Sequence, residues 1–289
     1  MLKNTLILIS ACLLSTSAFA SDTESGLKQV LAAQPEAVQA RYVFRRPAET
    51  LVFIGIEPGM TVMEGLPGGG WYSKILLPYL GDGGLLIGAD YAQSMFPLFG
   101  FYGEKALKAK ETWVADWTEE ANGWRAENDA GVTAFVMGSM PDEMKGTADA
   151  VLFIRALHNM ARFEGKGGYL TAALADAYNI LKPGGVVGVV QHEARADMAD
   201  DFANGSHGYL KESFVIAAME KAGFVLEASS DMNNNPADMP AADDIVWRLP
   251  PSLATSRKDD ELKAKMKAVG ESNRMTLRFR KPVQSVNGI

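Results

Sequence analysis

The sequence predicts an α/β fold: a doubly wound, mostly parallel seven-stranded sheet with helices on both faces. Seven short apolar runs recur along the chain, and helix-patterned segments separate the earlier ones. Several of these runs are continuously apolar, as strands covered on both faces are. Joints such as "LKPGGVVGVV" (181–190) leave a helix at Leu181, turn at Pro183 and Gly184-Gly185, and enter a strand.

Residues 1–20, "MLKNTLILISACLLSTSAFA", stand apart from this pattern. Lys3, an apolar stretch from about Leu6 to Leu14 and then Ala18-Phe19-Ala20 describe a secretory signal peptide cleaved after Ala20. The apolar stretch is too short for a spanning helix, and no other segment is long and apolar enough for one. Periplasmic or secreted localisation is the expectation. "ISAC", ending at Cys12, offers lipoprotein processing as the weaker alternative. Cys12 is the only cysteine, so cleavage leaves a chain without thiol or disulfide chemistry.

Leu27–Arg45 reads as one helix, from apolar residues at Leu27, Val30, Leu31, Val38, Tyr42 and Val43. A short helix starts at Pro47, a residue suited to a first helical position, and ends near Gly55. The expected strands are Thr61–Glu64, Leu85–Ala89, Val132–Val136, Ala150–Ile154, Val186–Gln191, Phe224–Ser229 and Met275–Arg280. The expected helices between the earlier ones are Tyr72–Leu80, Gly103–Lys110, Tyr169–Leu181 and Ser213–Ala222. Asp231–Lys267, with "MNNNPADMPAADD", is the least regular part and reads as a loop.

With 289 residues, 47% hydrophobic and 22% charged, the composition is that of a globular chain. The formal charge is −7 without a block of like charges, and the leader's only charge is Lys3. Nothing in this charge favours nucleic acid or an anionic membrane surface, which would want a basic face; no nucleic-acid partner and no integral membrane span are expected. A small-molecule or envelope-associated partner is expected; the oligomeric state is left open.

An open sheet of this kind binds ligands beyond the carboxyl ends of its strands. "GLPGGG" (65–70) follows the first strand, where glycines let the backbone approach a ligand and the next helix offers free N–H groups. A dinucleotide-binding G-x-G-x-x-G fails: from Gly68 it reaches Ser73, and from Gly65 it meets Pro67 at the second glycine. There is no P-loop Gly-Lys-Ser/Thr ending either, so a pyrophosphate cofactor is disfavoured, and the broken dinucleotide pattern argues against a nucleotide-dependent oxidoreductase. The histidines His158, His192 and His207 lack metal-ligand spacing. His158 and His192 each follow a sheet strand, on the edge where ligands sit, and Glu193 beside His192 can orient an imidazole or act as a base. Asn159 can instead cap a helix, and His207 in "NGSHGYL" lies on a looser segment.

An acidic residue, a glycine-rich turn and an acid closing the next strand resemble the S-adenosylmethionine-dependent methyltransferases of the Rossmann-like class. "VMEGLPGGGWYS" with "LKPGGVVGVVQHEA", the "NP-D" of 235–238 and the terminal "MTLRFRKP" are more specifically similar to a family of exported, predicted methyltransferases. The resemblance spans roughly residues 41–283. It implies a Rossmann-like methyltransferase fold with S-adenosylmethionine as cofactor. Glu64 and the backbone of Gly65, Pro67, Gly68, Gly69 and Gly70 would line its methionine and ribose side. Asp90 would take the ribose hydroxyls and Tyr91 would pack beside adenine. Ser139 and Met140 stand where many such enzymes carry an acid facing the adenine amino group. Arg155, His158 and Asn159 in "FIRALHNM" follow the fourth strand, where the active site is commonly built; Arg155 would contact the cofactor, and His158 and Asn159 would serve catalysis. The implied division is a leader over 1–20, an N-terminal helical extension over 21–46, a methyltransferase-like domain over 47–283 and a tail over 284–289. The rival expectation is a binding module without turnover on the same scaffold.

Overall fold

A computed structural model describes residues 25–283. The leader over 1–20, with its cleavage site and Cys12, and the tail over 284–289 lie outside the described residues. Seven strands form one sheet: β1 (Thr61–Gly65), β2 (Leu85–Asp90), β3 (Gly131–Val136), β4 (Ala148–Ile154), β5 (Leu181–His192), β6 (Val225–Ser230) and β7 (Arg274–Arg280). Their order is β3-β2-β1-β4-β5-β7-β6, with β7 antiparallel to both neighbours and β1 to β5 parallel. The sheet matches the expected architecture, with strand ends within a few residues of those anticipated. The exception is β5, whose pairing begins at Leu181 rather than at Val186.

Alternation along the central strands divides the core between the two faces. Met63, Ile87 and Val151 point to one face, where they meet α8 (Leu157–Arg162), α10 (Tyr169–Ile180) and α11 (Glu212–Lys221). Val62, Leu86 and Leu152 point to the other. There they pack on α1 (residues 25–32), α4 (Pro47–Ile54), α5 (Ser73–Leu80) and α7 (Trp113–Asn122). Burial on both sides explains why these strands read as unbroken apolar runs.

The expected single helix over Leu27–Arg45 is instead three: α1, then α2 (Glu36–Gln39) and α3 (Tyr42–Arg45). Pro35 stands before α2, where it cannot continue the preceding hydrogen-bond ladder. Arg46, at φ +39, turns the chain between α3 and α4. The helix expected over Gly103–Lys110 is α6 (Glu104–Glu111); α7 after it is unexpected, as is the short α9 (Glu164–Gly167) after α8. The segment expected as loop ends in α12 (Asp260–Val269), which Asp259 caps by accepting from the Leu262 N–H at 2.9 Å. Among the described residues no helix is long and apolar enough to cross a membrane.

The "NNNPAD" stretch is anchored rather than free. Asn235 Nδ2 donates to the carbonyls of Val269 and Glu271 at 2.8 and 2.6 Å. Asp238, 4% exposed, accepts from Arg248 at 2.7 Å, from the Tyr209 hydroxyl at 3.0 Å and from the Asn273 N–H at 2.9 Å. These contacts fix the roof segment 246–252 over the ends of β4 and β5. Removing one partner of a buried ion pair leaves the other charge uncompensated, at a cost of ~3–5 kcal/mol. Asp238→Ala is therefore expected to lower unfolding free energy by about that amount in urea titrations; an unchanged midpoint would show the roof to be held by other means.

Candidate functional site

The turn after β1 divides into parts that face protein and parts that do not. A Cβ on Gly65 would sit 2.7 Å from the Phe153 ring, and one on Gly70, at φ +77, would sit 2.4 Å from Trp124. Those two glycines are required by packing, not by a ligand. Gly69 has nothing within 4 Å of such a Cβ, and Gly68 only the Leu66 carbonyl at 3.9 Å. Open main chain, the feature expected of the whole turn, is thus confined to Gly68 and Gly69. Pro67 is buried, and Leu66 adopts φ +59, a conformation side chains rarely take.

Beneath the turn, Glu64 is 4% exposed and accepts from the Ser73 hydroxyl at 2.6 Å. Burial pushes its carboxyl up to about 7, against the opposing pull of that hydrogen bond. At the tip of β2, Asp90 Oδ1 accepts from the Tyr91 N–H at 2.8 Å and Oδ2 from Lys110 Nζ at 2.8 Å. Lys110, on α6, also lies over the Phe96 ring at 4.5 Å. The carboxylate expected for ribose is therefore already paired with a cation that sequence reading did not identify.

Tyr91 is buried, and its hydroxyl accepts from Asn159 Nδ2 at 3.1 Å. Burial raises its phenol well above the ordinary range. Asn159 sits on α8, and its Oδ1 is buried without a hydrogen-bond partner. Tyr91 and Ser139 line a common cavity of about 250 Å³ with Met95, Met137 and Met160. Met140 is not among its lining residues and packs half-buried against the core.

A second cavity, of about 210 Å³, lies over the ends of β4 and β5. Arg155, His158, His192, Glu271 and Ser272 form its polar side, and Leu66 and Trp247 belong to its apolar side. The two histidines singled out from strand position therefore meet, with ring centroids 5.4 Å apart. His158 Nδ1 is 3.4 Å from Gln191 Nε2, and His192 Nδ1 is 2.6 Å from the Ser272 hydroxyl. Burial holds both imidazoles down, His158 to about 4 and His192 well below its ordinary value, so both are neutral at pH 7. Arg155, expected beside the cofactor, lines this cavity and not the one at Tyr91.

Glu193 lies apart from the two imidazoles. It accepts from Asn273 Nδ2 at 3.2 Å and does not line the histidine cavity; burial, then Glu212, raises its carboxyl. His207 stacks on Phe202 at 4.8 Å, beside the small apolar cluster of Phe202, Tyr209 and Val246, and does not line the histidine cavity. Sequence reading missed Arg45, Trp247, Glu271, Ser272 and Arg274. No motif marks them, because three segments distant in the chain bring them together.

A scan against protein-family models finds no match, and a comparison with curated proteins finds none either. Similarity appears among solved structures. The [4+2]-cyclase SpnF aligns at a TM-score of 0.51 and 17% identity, covering 83% of this chain and 81% of that one. A SAM-dependent methyltransferase from Aquifex aeolicus aligns at 0.49 and 14% identity, over 89% and 98% of the two chains. The 1,6-didemethyltoxoflavin-N1-methyltransferase of Burkholderia thailandensis, described with bound S-adenosylhomocysteine, aligns at 0.45 and 12% identity, over 96% and 93%. At such identities the likeness is one of fold. The mostly parallel seven-stranded sheet with its antiparallel β7 is the Rossmann-like methyltransferase fold.

Proposed function

We propose that the protein transfers a methyl group from S-adenosylmethionine to a small or envelope-associated acceptor. The observation that carries this reading is the open Gly68–Gly69 main chain after β1 together with the Asp90 carboxylate that ends β2, the strand paired beside it. The donor set fits a nucleoside. Asp90 retains lone pairs beyond its bonds to Lys110 and Tyr91, and Asn159 Oδ1 is a buried acceptor still lacking a donor. When bound, S-adenosylmethionine supplies an electrophilic methyl on a sulfonium that leaves readily. The chain's own residues then have mainly to align and enclose. Asp90 would hold the ribose, Tyr91 and Ser139 would flank the base, and the roof 246–252 would keep water from the acceptor. Neutral His158 and His192 are in the form required to accept a proton from an acceptor hydroxyl or amine. We further propose that residues 1–20 direct export.

Three measurements test these proposals. Calorimetric titration of the mature chain with S-adenosylhomocysteine should show binding that Asp90→Ala and Gly69→Val each weaken by at least about tenfold. The space around Gly69 means that the valine variant should fold, so its loss reads as blocked approach. No heat in a well-folded wild type would sink the reading in favour of a scaffold without turnover.

The second measurement uses pH. Glu64 is largely protonated below about 7 in the free protein. A cationic ligand above it favours the carboxylate, so binding releases a proton and weakens as pH falls. S-adenosylmethionine should bind more tightly at pH 8 than at pH 6, by up to about tenfold. Glu64→Gln should abolish the difference; equal affinities in wild type would remove Glu64 from the site. Third, fractionation of cells expressing the full chain should find a product beginning at Ser21 outside the cytoplasm. A cytoplasmic product retaining Met1 would refute export.

A further inference from the structure

Glu271 is approached by four arginines. Arg41 pairs with its Oε1, Arg45 lies at 3.1 Å, Arg274 at 3.2 Å and Arg155 at 3.9 Å. One carboxylate cannot neutralise four guanidinium groups, and unbalanced charge taken from water is costly. Two of the four have other partners: Arg45 lies over the Trp71 ring at 4.3 Å, and Arg274 donates to the Phe44 carbonyl at 2.5 Å. Arg41 is hydrogen-bonded to Glu271 itself, its Nε donating to Oε1 at 2.9 Å.

Arg155 differs. Its guanidinium makes no hydrogen bond to any described residue, and its Nε is buried without a partner. Its backbone sits at φ +58, in the left-handed region that is strained for a side-chain-bearing residue. Its N–H is held there by the Val190 carbonyl at 2.6 Å. The chain thus keeps a strained residue whose rigid fork of donors lines the 210 Å³ cavity without a hydrogen bond to a described residue, Glu271 on the same lining standing off at 3.9 Å. Each imidazole commits Nδ1 to protein, to Gln191 or to Ser272, while neither Nε2 bonds to a described residue. Leu66, Trp247 and Leu249 supply an apolar wall.

We propose that this cavity seats a small ligand bearing a carboxylate or phosphate, with the anion on Arg155 and the rest of the molecule between His158, His192 and Trp247. The ligand is a second substrate and not the nucleoside. Asp90, Tyr91 and Ser139 line none of this cavity, whereas Tyr91 and Ser139 line the other. Its role as methyl acceptor rests on the proposed methyl transfer; the anion seat itself does not. A bound anion supplies the negative charge that Glu271 alone cannot, and Arg is the side chain whose geometry matches carboxylate and phosphate bidentately.

The test uses the three histidines as reporters. In histidine-labelled NMR at constant ionic strength, benzoate and inorganic phosphate are titrated separately into the full mature chain. At least one should shift His158 and His192 saturably and leave His207 unmoved. Arg155→Gln should weaken that binding by about tenfold or more, and Arg155→Lys should restore part of it. Because the Arg155 side chain makes no hydrogen bond to any described residue and its ion pair with Glu271 is long, at 3.9 Å, both variants should keep the wild-type unfolding midpoint. Saturating S-adenosylhomocysteine should leave anion affinity unchanged, and Arg155→Gln should leave S-adenosylhomocysteine affinity unchanged. Absence of a saturable shift in wild type, or equal anion binding by Arg155→Gln, overturns the proposal. Competitive displacement by S-adenosylhomocysteine overturns it as well, since the seat would then belong to the nucleoside's own carboxylate. Anion binding without any nucleoside binding would uphold the seat while removing the methyl donor, so the two readings fail separately.

Discussion

Glu271 is the point on which the arrangement turns. Its carboxylate joins Arg41 and Arg45 from the N-terminal helices, Arg155 from the end of β4 and Arg274 from the start of β7. Burial alone would raise its carboxyl, but Arg45, Arg274, Arg155 and Arg41 together hold it below the ordinary range. It is therefore ionised at neutral pH. Remove that charge and four cations are left facing one another, so the position of α3, the entry to β7 and one wall of the histidine cavity are set by one electrostatic constraint. Burial draws Arg45 and Arg155 only down to about 10, which leaves both charged at neutral pH.

The glycine-rich turn shows how one local pattern serves two purposes. Gly65 and Gly70 are small because Phe153 and Trp124 occupy the space a side chain would need. Gly68 and Gly69 are small where space is empty. A run of glycines in a sequence cannot tell these apart, because the difference lies in what the rest of the chain puts opposite each one. Similarly, "NNNPAD" looks like a polar surface loop. Its Asn233 and Asp238 are buried: Asn233 donates to the hydroxyls of Thr50 and Thr276, and Asp238 accepts from Tyr209, Arg248 and the Asn273 N–H, partners that no local pattern announces.

The sheet was legible in the sequence because its strands are covered on both faces, which writes them as apolar runs. His158 and His192 were legible because strand ends are. The helix over Leu27–Arg45 was overextended: apolar spacing persists through Pro35, whose missing N–H ends the first segment, and through Ala40–Arg41, where α2 gives way to α3. Helix α12 was illegible because it buries only Met266 and is otherwise lysine- and acid-rich. The arginine cluster could not be read at all. Arg41 and Glu271 are 230 residues apart, and nothing local to either announces the other. Asp90 was legible as a strand-end acid, but its pairing with Lys110 was not, since that depends on where α6 docks.

Helix α6 has no fully buried residue. Its last turn is moored by Lys110 on Asp90 and by Gln93, which donates to the carbonyls of Lys110 and Glu111 at 3.0 and 3.2 Å. Any guest that takes over the Asp90 carboxylate must share it with that ammonium or evict it. Occupancy at the tip of β2 and the docking of residues 104–111 are thereby thermodynamically opposed, and the surface helix becomes a gauge of what sits in the groove beneath it.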